Sequence, residues 1–569
     1  MTFWWPRFAV MLVRSPVARL LHRSFALSAP LVAATFFTLS ANAQSTAAPT
    51  PPTASGPASA PAPAAADDAR VKPNEPPGAD ADTRPRNAGS ADDSRVKAVD
   101  APPSVTGPSS GNSVTTHAPT PYAPASPIGH EGHFEFGSYG RVTAATDLRG
   151  RTGRGSNIVA FGPRLVDEGS YAELELRRED TWSEKTKGRV VATVALFPPF
   201  FHFSGNTVNA IAVRNLYAQG TYEKLTMWAG SRMYRGDDIY LLNWWPLDNQ
   251  NTVGGGVFGS FDSAAGKTIL AAHVGQQRLD NPYQSQQIPV VAPYGFGTVS
   301  ITKLDRPRMV ETFKVTQLFK NGPESKFFSD DKAGFKVSLY GEAHQISSGV
   351  FRDPLIDRDR DLPSDGGFLI GSQLTYFTGH RDTHAHLFLR HSRGIAAYDP
   401  LEAPTTFAID RSTQGASDTR VAFSGNVEQG PFAIAWGGYV RFFRDASTEA
   451  TTTQKYDEGA LVARPSFFLG EHFGLSLEGS YQMRRMKIVD PSTDAPLTAQ
   501  VGRFGVMPYF SPSGRGTFKR PQIRLIYALT ARDSGAKRLY ATEDVLGQRG
   551  VDHFLGIGAE WWFNSSSYP

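Results

Sequence analysis

Between Arg214 and Asp248 the chain reads RNLYAQGTYEKLTMWAGSRMYRGDDIYLLNWWPLD. A charged turn, Arg235-Gly236-Asp237-Asp238, is followed closely by the paired rings of Trp244 and Trp245. Ionised groups and large rings packed this closely are costly in an ordinary loop, because the charges need water and the rings avoid it. Both are accommodated where a loop folds inward to line a narrow wet passage. The chemistry on offer there is non-covalent: apolar ring faces beside charge-assisted hydrogen-bonding groups. Neither an H-E-x-x-H nor a Walker A pattern occurs. The chain has no cysteine, which excludes disulfides, thiolate metal sites and cysteine nucleophiles.

The elements that would hold such a loop carry the period of β-strands. The stretch before it divides into two strand-like segments at Glu223 and Lys224, with no helix cap or helical period. From about His133 onward the same texture recurs. In FEFGSYGRVT, Phe134, Phe136 and Val142 share one face, while Glu135, Tyr139, Arg141 and Thr143 share the other. In YAELELR, Ala172, Leu174 and Leu176 oppose Tyr171, Glu173, Glu175 and Arg177. In His384 to Arg390, Ala385, Leu387 and Leu389 oppose His384, His386, Phe388 and Arg390. One side is purely apolar and the other carries charge together with aromatics.

The N-terminus reads as an export signal over residues 1–43. Arg7, Arg14, Arg19 and Arg23 form a basic region, Phe25 to Leu39 is apolar, and Ala41-Asn42-Ala43 is a small-residue cleavage site. The mature chain is then expected to start at Gln44, with Met11 as an alternative start of the precursor. Residues 44–128 are rich in Pro, Ala and Ser, and no Leu, Ile, Phe, Met or Trp occurs from Gln44 to Ser126. Such a segment cannot bury enough apolar surface to offset its ordering entropy, so a disordered linker is expected, either a spacer or a tether across the periplasm. No later run of about 20 apolar residues exists, which excludes a helical membrane protein but not a membrane β-barrel.

Residues 129–569 therefore read as all-β, either a sandwich with a wet face or a transmembrane antiparallel barrel with a lipid face and a wet lumen. The barrel is favoured by the missing cysteines, by the scant helix signal and by aromatics near strand ends (Trp182, Trp228, Phe377, Phe467, Phe468), where interface girdles would sit. The last strand, HFLGIGAEWWF, also ends on an aromatic. About 440 residues leave room for roughly 16 to 20 strands, enough for an aqueous channel.

These residues resemble maltoporin-like carbohydrate porins. FGSYGR is similar to that family's opening F-x-G-Y-x-R, and RLVDEGSYAELEL to its second strand. RNLYAQG and WAGSRMYRGDD resemble its R-x-A-x-V-Q-G and W-A-G-K-R-F-Y pair. GKTILAA and KRPQIRLIYAL resemble later strands, with Ala463-Arg464-Pro465 a weaker relative. The resemblance implies an eighteen-stranded barrel in the bacterial outer membrane, assembled as a homotrimer. Each protomer would have its own sugar channel, constricted by a third loop, here Arg235 to about Val253.

A sugar chain presents apolar C–H faces and a rim of hydroxyls, so its path needs flat rings beside ionised hydrogen-bonding groups. Carried over from the family, the aromatic slide comprises Tyr139, Tyr171 and Trp562, with Trp245 standing where the constriction has a tyrosine. The polar track comprises Arg141, Arg164, Glu173, Arg214 and Asp238, with Arg235 beside Gly236, where the family has its loop arginine. The chain departs from the family at Asn243, where an aspartate is expected, and at Ile370, where a slide phenylalanine is expected and Phe368 stands nearby. It also departs in lacking a tryptophan in residues 203–213 and the first-loop cysteines, and in the six residues that follow the terminal aromatic.

The expected function is passive, facilitated diffusion of maltodextrin-like oligosaccharides, with a general or anion-preferring porin as the alternative. An outer-membrane hydrolase would need a Ser-His pair in the wall, and none stands out. A secreted carbohydrate-binding sandwich would be released without detergent. Expected partners are the sugar, outer-membrane lipid, further copies of the chain and the barrel assembly machinery. Net charge +4 over 569 residues argues against nucleic acid. No cofactor or metal is called for. Asp357, Asp359 and Asp361 are spaced like a calcium loop, but Leu362 stands where glycine is needed and no glutamate closes it. His130 with His133, the pair His384 and His386, and the basic loop Arg149, Arg151 and Arg154 read as incidental, lumen-lining and surface groups respectively.

Overall fold

A computed structural model describes residues 131–155, 157–197, 201, 211–264, 266–295, 297–320, 333–378, 382–398, 404, 411–448, 454–490 and 494–565. The expected export signal, the Pro/Ala linker and His130 lie outside these residues. No described helix is long and apolar enough to cross a membrane.

The strands are β1 (Glu131–Thr146), β2 (Tyr171–Thr181), β3 (Thr186–Leu196), β4 (Ile211–Tyr222), β5 (Leu225–Arg235), β6 (Asn249–Ser263), β7 (Gly266–Gln277), β8 (Ser285–Val291), β9 (Thr298–Asp305), β10 (Arg308–Lys320) and β11 (Gly334–Ile346). They continue with β12 (Gly349–Asp353), β13 (Arg358–Leu362), β14 (Asp365–Phe377), β15 (His384–Gly394), β16 (Ser417–Gln429), β17 (Phe432–Arg444), β18 (Tyr456–Phe468), β19 (Phe473–Asp490), β20 (Ala495–Phe510), β21 (Gln522–Arg532) and β22 (Val551–Phe563). Eighteen of them form one antiparallel sheet. Hairpins β8–β9 and β12–β13 stand apart from it. β22 pairs with β1 from Ser138 opposite Phe563 to Thr146 opposite Leu555, so the sheet closes on itself. Closure leaves no unpaired edge, the condition for a sheet to sit in hydrocarbon.

The alternation read from the sequence selects the two faces. Leu174 and Leu176 are 44% and 52% exposed on the outside, whereas the alternating Glu173 and Glu175 are each 1% exposed on the inside. Leu387 and Leu389 are exposed, while Phe388 is buried. A charge on the lipid side near mid-membrane costs about 2–4 kcal/mol, so a one-residue slip of register is strongly disfavoured. Trp182 and Phe467 are exposed at the wall, as expected of a girdle. Trp228 and Phe468 are corrections: both are buried, and Trp228 sits inside against Tyr217 and Val191, stacked on His273 at 5.2 Å. Its outward-facing neighbour on β5, Met227, is 60% exposed, so period two had already assigned Trp228 to the interior.

One end of the barrel carries tight turns, such as Glu223–Lys224 between β4 and β5, where Glu223 adopts a left-handed φ of 52°. The other end carries long loops. The carboxylates spaced like a calcium loop lie at the β12–β13 hairpin and its turn, where two are held by cations: Arg352 pairs with Asp357 and Asp359 at 2.9 and 3.2 Å, and Lys303 with Asp359 at 2.8 Å.

Candidate functional site

Two long loops turn inward. The first, residues 147–170, crosses to the far wall. Its Ile158 N–H donates to Gln482 of β19 (3.0 Å) and its Phe161 N–H to the Tyr439 hydroxyl of β17 (3.1 Å). The other, residues 236–248, connects β5 to β6 and so ends at Asp248 rather than near Val253, because residues from Asn249 onward already pair with β5. It contains one 3-10 turn, Tyr240–Leu242, terminated by Asn243 in the left-handed conformation (φ 48°), which asparagine tolerates better than most residues. Where the family pattern has aspartate, asparagine here ends the turn.

An apolar seam holds the loops together. Ile239, Leu241, Leu242, Trp244 and Leu247 pack with Ile158 and Val159. The Phe161 ring stacks on Trp244 with centroids 4.3 Å apart, and Arg164 N–H donates to the Leu241 carbonyl at 3.0 Å. At the other side of the inward loop, Asp237 accepts hydrogen bonds from Lys336 and Gln373, and Lys314 pairs with Asp248 at 2.9 Å. Each inward loop is thus clamped by ion pairs and side-chain burial rather than by strand pairing.

The predicted slide residues meet at the closure of the barrel. Register sets Tyr139 opposite both Glu173 and Trp562, and Arg141 opposite both Tyr171 and Glu560. The Tyr139 ring lies 6.0 Å from Tyr171 and 6.4 Å from Trp562, nearly parallel to the latter. Sequence reasoning missed how the line continues. Trp562 reaches Tyr240 of the inward loop (6.3 Å), Tyr240 reaches Phe518 (5.3 Å) and Phe518 reaches His384 (6.2 Å). At the other end Tyr171 meets Phe197 at 5.3 Å. Tyr139 and Tyr171 are only 2% and 8% exposed, whereas Phe197 is 43% exposed, and Trp562 and Tyr240 are half-buried. Phe197 is therefore the most exposed ring of the line, Trp562 and Tyr240 are partly accessible, and the two tyrosines are buried. Trp245 stands apart, with the Arg235 guanidinium 3.5 Å over its ring. Ile370 and Phe368 both face outward, and the buried residue between them is Leu369.

The polar residues collect along the same line. Arg214 pairs with Glu173 and donates to the Tyr171 hydroxyl. Arg141 donates to the Tyr139 hydroxyl at 2.7 Å. Arg164 donates to Glu168 and Glu560, each at 2.7 Å, and lies 4.5 Å from the centre of the Tyr240 ring. Burial works to lower the Arg164 pKa, but Glu168 and Glu560 outweigh it and hold the guanidinium well above its ordinary value. The centre of this network is Glu560, which sequence reasoning did not single out. It also takes Arg520 (2.8 Å), Arg524 and the Tyr240 hydroxyl (3.1 Å). Its parity with Trp562 was the available signal.

Asp238 is set apart electrostatically. Burial pushes its carboxyl up to about 6; the Arg164 charge lowers it and adjacent Asp237 raises it further. Asp237 behaves oppositely: burial would raise it, but Lys336 outweighs burial and holds it well below the carboxylate range. A raised folded-state pKa favours the folded loop below the unfolded value, about 3.9, and that contribution is lost as pH rises through about 6. The same titration removes a negative charge from the constriction as pH falls. Lowering pH from about 7.5 to about 5 should raise the anion-to-cation permeability ratio, read from reversal potentials in a salt gradient. An Asp238→Asn variant should lose that step. Retention of the full step in the variant would refute the assignment.

Residues 134–563 match the sequence model of the LamB porin family. A comparison with curated proteins finds no match. Among solved structures, the chain is similar to the outer membrane protein OpdK of Pseudomonas aeruginosa, at 11% identity over 76% of this chain and 98% of that one, with a TM-score of 0.38. It is also similar to the outer membrane channel DcaP of Acinetobacter baumannii, at 11% identity over 77% and 98%, with a TM-score of 0.36. A further similar structure is Wzi of Escherichia coli, described as a carbohydrate-binding β-barrel involved in group 1 capsule assembly, at 9% identity over 74% and 83%, with a TM-score of 0.34.

Proposed function

The chain belongs to the LamB porin family and is an outer-membrane porin channel, and we propose that it conducts sugars by facilitated diffusion. The observation that carries this reading is the continuous line of rings from Phe197 through Tyr171, Tyr139, Trp562 and Tyr240 to Phe518, flanked by Arg141, Arg164, Glu173 and Arg214. Pyranose faces would slide over the accessible rings while hydroxyls exchange partners among guanidinium and carboxylate groups. Transport is passive: each contact must favour occupancy yet release the sugar to the next. Nothing in this path calls for bond-making chemistry or a cofactor.

The channel is proposed to work as a homotrimer inserted by the barrel assembly machinery, after export by the signal at residues 1–43. Residues 44–128 are proposed as a spacer ahead of the barrel. A second reading, an anion-preferring porin without sugar selectivity, is favoured by the arginines gathered on Glu560.

Planar-bilayer conductance with added maltodextrins separates the two. The sugar reading expects saturable current block that deepens with chain length. An open current indifferent to sugar, with a reversal potential favouring anions, would select the second reading.

A further inference from the structure

Beside Trp562 the wall holds a hollow framed by Arg141, Thr143, Arg164, Arg464 and Arg524. Register explains it. Across β1, β22 and β21, Thr143, Gly558 and Arg524 form one row, and Arg141, Glu560 and Gln522 the next. Gly558 shares the inward parity of Glu560 and Trp562 but has no side chain; the Thr143 hydroxyl and the Val142 carbonyl lean over it, each 2.9 Å from where a Cβ would stand, so the hollow lies beyond it among the guanidinium groups. The hollow adjoins the ring line, since Tyr139 and Trp562 form the row immediately beyond Arg141 and Glu560.

Charge in this hollow does not balance. Five guanidinium groups meet here: Arg141, Arg164, Arg464, Arg520 and Arg524. The carboxylates that answer them are Glu168, Glu560 and Glu478, the last held by Arg464 at 2.6 Å. Asp238 of the inward loop adds a fourth within electrostatic reach of Arg164. Among the groups that line the hollow itself, four guanidiniums (Arg141, Arg164, Arg464 and Arg524) face two carboxylates (Glu168 and Glu560); Glu428 acts from farther out, within electrostatic reach of Tyr509 together with Arg464, Arg520 and Arg524. A net positive lining favours a partner that brings its own negative charge. Arg141 and Arg524 keep 17% and 12% of their side chains accessible, with Glu168 at 13%, so a passing solute would meet two guanidiniums and one carboxylate here.

We propose that this hollow is a subsite for the carboxylate of an acidic saccharide, making uronate-containing oligosaccharides the preferred substrate class of the channel. This rests on the sugar reading above. The uronate's carboxylate would take Arg524 and Arg141 in the hollow, while a neighbouring sugar of the same chain lies on Trp562, since the Thr143–Gly558 row stands about 13 Å along the strand from Trp562. A neutral glucan would use the same rings but leave the guanidinium excess unanswered.

The test compares current block by trigalacturonate and by maltotriose on the full-length protein in planar bilayers. Trigalacturonate is expected to half-block at an about tenfold lower concentration, with the advantage shrinking as salt screens the charge. Arg141→Gln and Arg524→Gln should each erode that advantage, whereas Arg524→Lys should keep most of it. Heat-modifiable gel mobility reports folding for each variant, and Arg141→Gln remains decisive should Arg524→Gln fail to fold. If maltotriose blocks as well as or better than trigalacturonate, the subsite is overturned while the sugar reading stands. If neither blocks, both fall.

Discussion

Glu560→Gln is expected to be the most destabilising single substitution at the barrel closure. The carboxylate is 2% exposed and receives Arg164, Arg520, Arg524 and the Tyr240 hydroxyl. An amide of the same shape offers one acceptor oxygen and presents an N–H₂ group where a guanidinium now donates. Arg520 and Arg524 would then lose the carboxylate they share, and Arg164 would keep only Glu168. Removing one partner of a buried ion pair costs about 3–5 kcal/mol, and partial access of water to Arg524 reduces this to roughly 2–4 kcal/mol. The eighteen-stranded ladder would survive, because its backbone bonds do not pass through the glutamate. The loss falls on the inward loops, which meet at Arg164 and Tyr240. The expected result is therefore a lower urea midpoint, noisier open-channel current and a reversal potential shifted toward anions. A variant with wild-type midpoint and wild-type reversal potential would show that Glu560 is not the centre of the network.

The fold was readable in the sequence because a barrel wall is a repetitive problem. Hydrocarbon outside and water inside impose period two on every strand, so FEFGSYGRVT and YAELELR already state which side Tyr139, Arg141, Tyr171 and Glu173 face. The turn at Glu223 and Lys224 was equally plain, since two charged residues interrupt two alternating runs. The Glu560 network was not readable in this way. It joins residues from β22, β21, both inward loops and the approach to β21, and Arg164 is 396 positions away from the glutamate. Only closure of β22 onto β1 brings them together, and no local pattern encodes that. The inward path of the first loop was hidden for the same reason, because Phe161 is fixed by Trp244 and Tyr439 in distant segments. Trp228 shows a different failure: the residue type suggested a lipid interface, whereas parity, the stronger constraint, placed it inside.

Trp562→Ala should weaken maltodextrin block more than any other change on the ring line. Trp562 joins the two halves of that line, with Tyr139 on one side and Tyr240 on the other. Unlike Tyr139, it is only half-buried, and the Arg520 guanidinium sits 4.1 Å from the centre of its ring. Removing the indole takes away the flat apolar surface and interrupts the path at its midpoint. Loss of about 1.4–2.8 kcal/mol of ring contact corresponds to a half-blocking concentration raised about 10- to 100-fold. Trp562→Phe, which preserves a ring, should recover most of the block, whereas a side chain needed only to fill the wall would be replaced equally well by leucine. Tyr139→Phe provides the contrast: it keeps the ring and removes the hydroxyl that accepts from Arg141 and Arg164. Because Tyr139 backs the line rather than facing the solute, its block should stay within about twofold of wild type, with the change appearing instead in ion selectivity. Equal block by maltodextrin in Trp562→Ala and wild type would remove the ring line from the transport path.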